Sequence, residues 1–212
     1  MKRSRITYFL KLALIVMIAF SMTFTFAFAD DDLFSPDLSD YDYELESDNF
    51  DWTYTGKPIR PEIYVQNGGY YLGPDRIKVT YKNNVNVGTA TIVVTGIGDV
   101  SGTFSTTFKI VPTGTRITKV AGLKRGIKVV WKRNSTKMKT SRITGYQVQI
   151  STDKSFAKNK KTYTVKGYKK TVKKIYKLKS KKVYYVRVRT YKKVGSKNYY
   201  SDWSARKAVK AR

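Results

Sequence analysis

Val183-Tyr184-Tyr185-Val186-Arg187-Val188-Arg189-Thr190 decides how this chain folds. From Val186 onward apolar and charged side chains alternate, the two-residue period of a strand with one face buried and the other in solvent. Tyr184, Val186 and Val188 then point inward, and Arg187 and Arg189 outward. The same period recurs upstream. Ile127-Lys128-Val129-Val130-Trp131 places Ile127, Val129 and Trp131 on one face, and Tyr146-Gln147-Val148-Gln149-Ile150 does so with Tyr146, Val148 and Ile150. Ile77–Tyr81, Thr89–Thr95 and Thr103–Ile110 read as further strands. No stretch keeps a helical period, so the chain is all-β: two tandem β-sandwich modules, at 52–112 and 113–212.

The punctuation agrees. Asn83-Asn84-Val85-Asn86-Val87-Gly88 supplies residues that tolerate positive φ, and Gly96, Gly98 and Gly102 break the chain between strands. Gly96-Ile97-Gly98 is not a phosphate loop, because it precedes no helix and no Lys-Ser/Thr pair follows. It is a turn.

The chain has no Cys and no His among 212 residues. That excludes disulfides, thiolate nucleophiles, imidazole bases and Cys/His zinc sites, and no cofactor or metal is expected. The modules must be held by packing alone.

The N-terminus reads as a secretory signal over 1–29. Lys2, Arg3, Arg5 and Lys11 form a basic head, Leu12–Phe20 an apolar run, and Ala27-Phe28-Ala29 a small-residue cleavage site, leaving Asp30 first. An uncleaved anchor is the alternative, although Ser21, Thr23 and Thr25 interrupt the apolar stretch. No later segment is long and apolar enough to span a bilayer, and neither a wall-sorting tail nor a lipoprotein cysteine is present. Residues 30–51 then carry ten acids and no base, with few aliphatics, and are expected to be a disordered acidic arm.

From 113 onward the balance reverses, with 32 Lys+Arg against Asp153 and Asp202, a formal charge of 32 − 2 = +30. Such a chain is set up to meet anionic surfaces by Coulombic attraction, or to fold its acidic arm back as an internal decoy. Of the 32 cations 24 are Lys, a point charge without a planar fork, which favours general attraction over shaped recognition. Interleaved tyrosines also suit stacking on single-stranded bases. A solvated face whose edge lysines block aggregation is the competing reading.

Two resemblances sharpen this picture. Tyr54-Thr55-Gly56-Lys57-Pro58, Asn83-Asn84-x-Asn86-x-Gly88-Thr89-Ala90, the Gly96-x-Gly98 turn, Ser101-Gly102-Thr103 and a closing Phe108-x-Ile110 resemble the bacterial immunoglobulin-like repeats of exported surface proteins. This implies a spacer or adhesion module with no catalytic residue. Trp131, Gly145-Tyr146-x-Val148-x-Ile150-Ser151, Leu178 six residues before Tyr184, and Tyr184-x-Val186-Arg187-Val188-Arg189 resemble a fibronectin type III domain over the whole of 113–212. The resemblance implies a tyrosine corner, in which the Tyr184 hydroxyl bonds to upstream backbone near Leu178. Thr190 departs from the usual Ala. Tyr200-Ser201-Asp202-Trp203-Ser204 resembles the Trp-Ser-x-Trp-Ser box of cytokine-receptor modules, which places Tyr200 and Trp203 where their rings can stack with Arg187 and Arg189. A structural ladder and a ligand-binding role for Trp203 both stand at this point.

These readings favour a non-catalytic, secreted, envelope-associated protein acting as an adhesion or interaction module. Glu62, Asp75, Asp99, Asp153 and Asp202 are the acids beyond the arm, and no pairing of the kind a glycosidase needs is visible among them. A plain structural spacer and a carbohydrate- or polyanion-binding module remain the alternatives. Anionic cell-wall polymers, carbohydrate or other surface proteins are the partners expected, and export disfavours nucleic acid.

Overall fold

The computed structural model describes residues 36–46, 51–134 and 141–212, which lie within one compact unit, Ser35–Arg212. The leader expected over 1–29 and the acids of 30–35 fall outside the described residues. Among those described, no helix is long and apolar enough to cross a membrane.

The first module holds a short 3-10 turn at Leu38–Asp40 and strands β1 (Asp42–Leu45), β2 (Asp51–Thr53), β3 (Ile63–Asn67), β4 (Tyr70–Tyr71), β5 (Ile77–Lys82), β6 (Gly88–Gly96) and β7 (Thr103–Val111). One sheet runs β1-β3-β4 and the other β2-β7-β6-β5, with β2 parallel to β7. Alternation decides what is buried. Ala90, Ile92 and Val94 on β6 are fully enclosed, and Phe108, Ile110 and Val65 close the core from β7 and β3.

The second module holds β8 (Ile117–Leu123), β9 (Gly126–Trp131), β10 (Gly145–Ser151), β11 (Lys161–Lys166), β12 (Val172–Tyr176), β13 (Val183–Val194), β14 (Lys197–Tyr200) and β15 (Lys207–Lys210). Its sheets run β12-β9-β8 and β11-β10-β13-β14, with β15 also on β13. Ile127, Val129 and Trp131 from one sheet meet Tyr146, Val148, Ile150, Val186 and Val188 from the other, and all are buried. The expected fold class is correct: the chain is all-β, built of sandwich modules.

The acidic arm needs correction. Residues 36–46 are not a disordered tail but part of the first sandwich, which therefore starts ahead of Trp52. Leu38 is 2% exposed in the core, and β1 pairs with β3 through Asp42↔Gln66, Tyr43↔Val65, Glu44↔Tyr64 and Leu45↔Ile63. Charge density misled because it ignores period. Leu38, Tyr41 and Leu45 pack on the core, while Asp42 and Glu44 face solvent, where like charges repel only weakly. Asp37 anchors the entry: its carboxylate accepts from Ser39 N–H at 2.8 Å and from the Ser101 hydroxyl at 3.0 Å. Those bonds, the Ser39 amide foremost, hold the carboxyl below its ordinary pKa. Gly102 is required here. It sits at φ +85°, and a Cβ would lie 2.8 Å from the Asp37 carboxylate.

Polar contacts tie the modules together. The hydroxyls of Thr89 and Tyr199 lie 2.7 Å apart. Ser141, 1% exposed, accepts from Val87 N–H at 3.0 Å and donates to Asn86 Oδ1 at 3.0 Å. The connecting segment is pinned as well, since the Thr113 carbonyl accepts from Asn134 Nδ2 at 2.9 Å and from the Thr190 hydroxyl at 2.8 Å. Thr190 thus serves as a fastener.

Candidate functional site

The outer face of sheet β11-β10-β13 gathers the residues singled out in the sequence. Because Val186 and Val188 point inward, Arg187 and Arg189 stand outward beside Gln149 and Gln147 of β10. Each guanidinium is held in place by its neighbour. Arg187 Nε donates to Gln149 Oε1 at 2.9 Å, and Arg189 donates to Gln147 Oε1 from Nε at 2.9 Å and from Nη2 at 2.8 Å. Gln149 Nε2 in turn donates to the Thr162 hydroxyl at 2.8 Å.

One ring lies between these guanidinium groups and one lies on either side of them. Arg187 sits 4.2 Å from the Phe156 centroid and 4.7 Å from that of Trp203. Arg189 sits 4.3 Å from Trp203 and 4.0 Å from Tyr200. The order is Phe156, Arg187, Trp203, Arg189, Tyr200. Burial lowers the pKa of both arginines from the ordinary value, yet a guanidinium remains charged at any physiological pH. Each cation–π contact at such a site is worth about 0.5–1 kcal/mol.

The segment carrying Trp203 is locked by its serines. The Ser201 hydroxyl accepts from Thr190 N–H at 3.0 Å and the Ser204 hydroxyl from Val188 N–H at 3.1 Å. Their own amides return bonds to the carbonyls of Thr190 at 3.2 Å and Val188 at 2.8 Å. Regular pairing lapses between β14 and β15, and the two hydroxyls stand in for the missing backbone acceptors.

Phe156 is the rung that sequence reasoning missed. It lies in the loop between β10 and β11 at φ +61° and is 4% exposed. Asp153 organises that loop, accepting from the Ser155 hydroxyl at 2.6 Å and amide at 2.9 Å, from Lys158 N–H at 3.0 Å and from Ala157 N–H at 2.9 Å. These bonds, Ser155's first, hold its carboxyl far below the usual range. The signal available was Asp153-x-Ser155, an aspartate positioned to cap its own loop.

The remaining residues singled out lie in the core. Trp131 is 2% exposed and packs on Tyr146 at 5.3 Å; its indole N–H is buried without a partner among the described residues. Leu178 and Tyr184 are buried, and the Tyr184 hydroxyl accepts from Lys179 N–H at 3.0 Å.

Trp203 also borders two clefts at the junction of the modules. The larger, about 810 Å³, is lined by Thr53, Arg116, Lys132, Arg133, Asp202 and Trp203 among others. The second, about 430 Å³, shares Ser201, Asp202 and Trp203 with it and adds Asp51, Lys109 and Arg189. Both mouths mix cations with an indole edge. Among the described residues, no three His, Cys, Asp or Glu stand together as a metal site would need. What the surface offers is attraction and stacking.

The fold thus defined is all-β, built of two sandwich modules. No protein-family model matches the chain, and no curated protein matches it. Among solved structures, it is similar to the FN1–FN3 domains of chicken CNTN1, at 19% identity and a TM-score of 0.40, over 60% of this chain and 42% of that one. It is also similar to a structure described as a myokine, at 14% identity and a TM-score of 0.36, over 47% of this chain and 97% of that one.

Proposed function

We propose that this chain is a non-catalytic, exported interaction protein of the bacterial cell envelope, whose basic fibronectin type III module holds it to anionic wall polymers. The observation that carries this reading is the second module's charge, +30 from 32 cations and two acids. One of those acids is already committed, since Asp153 spends its carboxylate on the amides and hydroxyl of its own loop. The field of the module is therefore left to external anions. The Arg-aromatic ladder braces the sheet that presents this charge. Attraction dominated by lysine is diffuse, so the matching ligand is a repeating polyanion rather than a small molecule of fixed shape.

The apolar run before Ala27-Phe28-Ala29 supports export, and the two β-sandwiches suit a surface interaction module. Fractionating the producing cell with and without a high-salt wash tests the reading. Retention with the envelope at low salt and release by the wash are expected. Recovery in the medium at low salt would favour a spacer without a ligand.

A further inference from the structure

The first module presents a face of opposite character. Asp42, Glu44, Tyr64, Gln66 and Tyr71 share the outer side of sheet β1-β3-β4, because Asp42 pairs with Gln66, Glu44 with Tyr64 and Gln66 with Tyr71. Tyr64 is 44% exposed and Tyr71 62%, with their rings edge to face at 6.2 Å. The Tyr64 hydroxyl donates to Glu62 at 2.7 Å. Tyr is a residue type enriched at contact surfaces, and the carboxylates beside these two rings favour a cationic partner there.

The second module carries a counterpart. Inward Ile127, Val129 and Ile175 leave Lys128, Val130, Val172, Lys174 and Tyr176 on the outer side of sheet β12-β9-β8. Lys174 lies directly opposite Lys128 across the strand pair. Like charges so placed are destabilising in the isolated chain and are relieved by a carboxylate laid between them. Val172 at 43% and Tyr176 at 55% exposure flank the lysines. One face offers the carboxylates of Asp42, Glu44 and Glu62 beside two rings, the other the ammonium groups of Lys119, Lys128 and Lys174 with apolar neighbours. Pairing of β1 with β3 and burial of Leu38 keep Asp42 and Glu44 on their own module, so they cannot peel away as a decoy arm.

We propose that the outer face of sheet β1-β3-β4 docks onto the outer face of sheet β12-β9-β8 of a second copy of this chain, head to tail. Such a contact is heterologous and propagates into open chains or rings. It is independent of the polyanion reading and adds to it, since an array multiplies weak contacts with a polymer.

Sedimentation velocity of the mature chain across a concentration series at low ionic strength tests the docking. The wild type is expected to sediment as concentration-dependent oligomers that dissociate as salt rises. Asp42→Lys with Glu44→Lys, and separately Lys128→Glu with Lys174→Glu, should each give a monomer with an unchanged far-UV spectrum. The fourfold swap has the wild-type net charge and should associate again. A wild type that stays monomeric overturns the proposal and leaves the acidic face to some other cationic partner. Single-face reversals that leave oligomer size unchanged, or a fourfold swap that stays monomeric, overturn it as well.

Discussion

Leu38→Ala separates the folded N-terminal segment from the disordered arm that its composition suggests. The side chain is 2% exposed, and the substitution removes three carbon groups at about 0.8 kcal/mol each, roughly 2.4 kcal/mol of transfer free energy. Incomplete collapse of the space left behind raises the expected loss toward about 3–5 kcal/mol. That is a large share of the roughly 5–10 kcal/mol available to a small domain. With a urea slope of about 1 kcal/mol/M, the first module's midpoint should fall by 2 M or more. Exchange mass spectrometry along the urea series reads peptides of β6 and β7 apart from those of β10 and β13, so the modules report separately. The first set should shift and the second should hold. A midpoint unmoved in β6 and β7 would mean that Leu38 contributes nothing to the core.

Three further outcomes follow from the same geometry. Tyr184→Phe leaves the Lys179 amide without its acceptor and should cost about 1–2 kcal/mol in urea unfolding, whereas Tyr185→Phe, half-buried on the opposite side of β13, should be near neutral; equal losses contradict the register. The Asp153 carboxyl is depressed in the folded state, so its anchoring is complete above the ordinary carboxylate pKa of about 3.9 and is lost only as pH falls through the lower folded value. The Ser155 amide resonance should therefore titrate well below pH 3.9, and a midpoint at the ordinary value would sink this assignment. Trp203→Ala removes the rung between Arg187 and Arg189, two contacts of about 0.5–1 kcal/mol each, and should lower the second module's stability by at least 1–2 kcal/mol with the first module's midpoint unmoved.

Period-two alternation makes the β-sandwich cores legible in the sequence. Ile127, Val129, Trp131, Tyr146, Val148, Ile150, Val186 and Val188 all occupy the interior that alternation assigns them. Most of the ladder was legible too, because Arg187 and Arg189 must share a face, Tyr200 ends the next strand and Trp203 follows three residues on. Phe156 was not, since its place depends on a loop whose shape is set by hydrogen bonds to Asp153. The acidic segment was misread for a related reason. Net charge and hydrophobicity averaged over 30–51 conceal that Leu38, Tyr41 and Leu45 carry enough apolar surface to dock once β3 and the Gly102 turn are formed. The junction clefts depend on Thr89–Tyr199 and Val87–Ser141 contacts between residues 110 and 54 positions apart, which no local pattern encodes.

The central claim is that the second module's uncompensated charge binds anionic polymer. Titrating the mature protein against a purified phosphate-bearing wall polymer over a salt series tests it most directly. Counterion release predicts that log affinity falls linearly with log salt, with a slope of about −0.7 for each phosphate engaged if the polymer behaves as a single strand. Binding should be strong at low salt and nearly gone by about 0.5 M, where the Debye length is about 4 Å, and a neutral polysaccharide should not bind at any salt. No binding at low salt, or affinity that does not change across the series, would contradict the account.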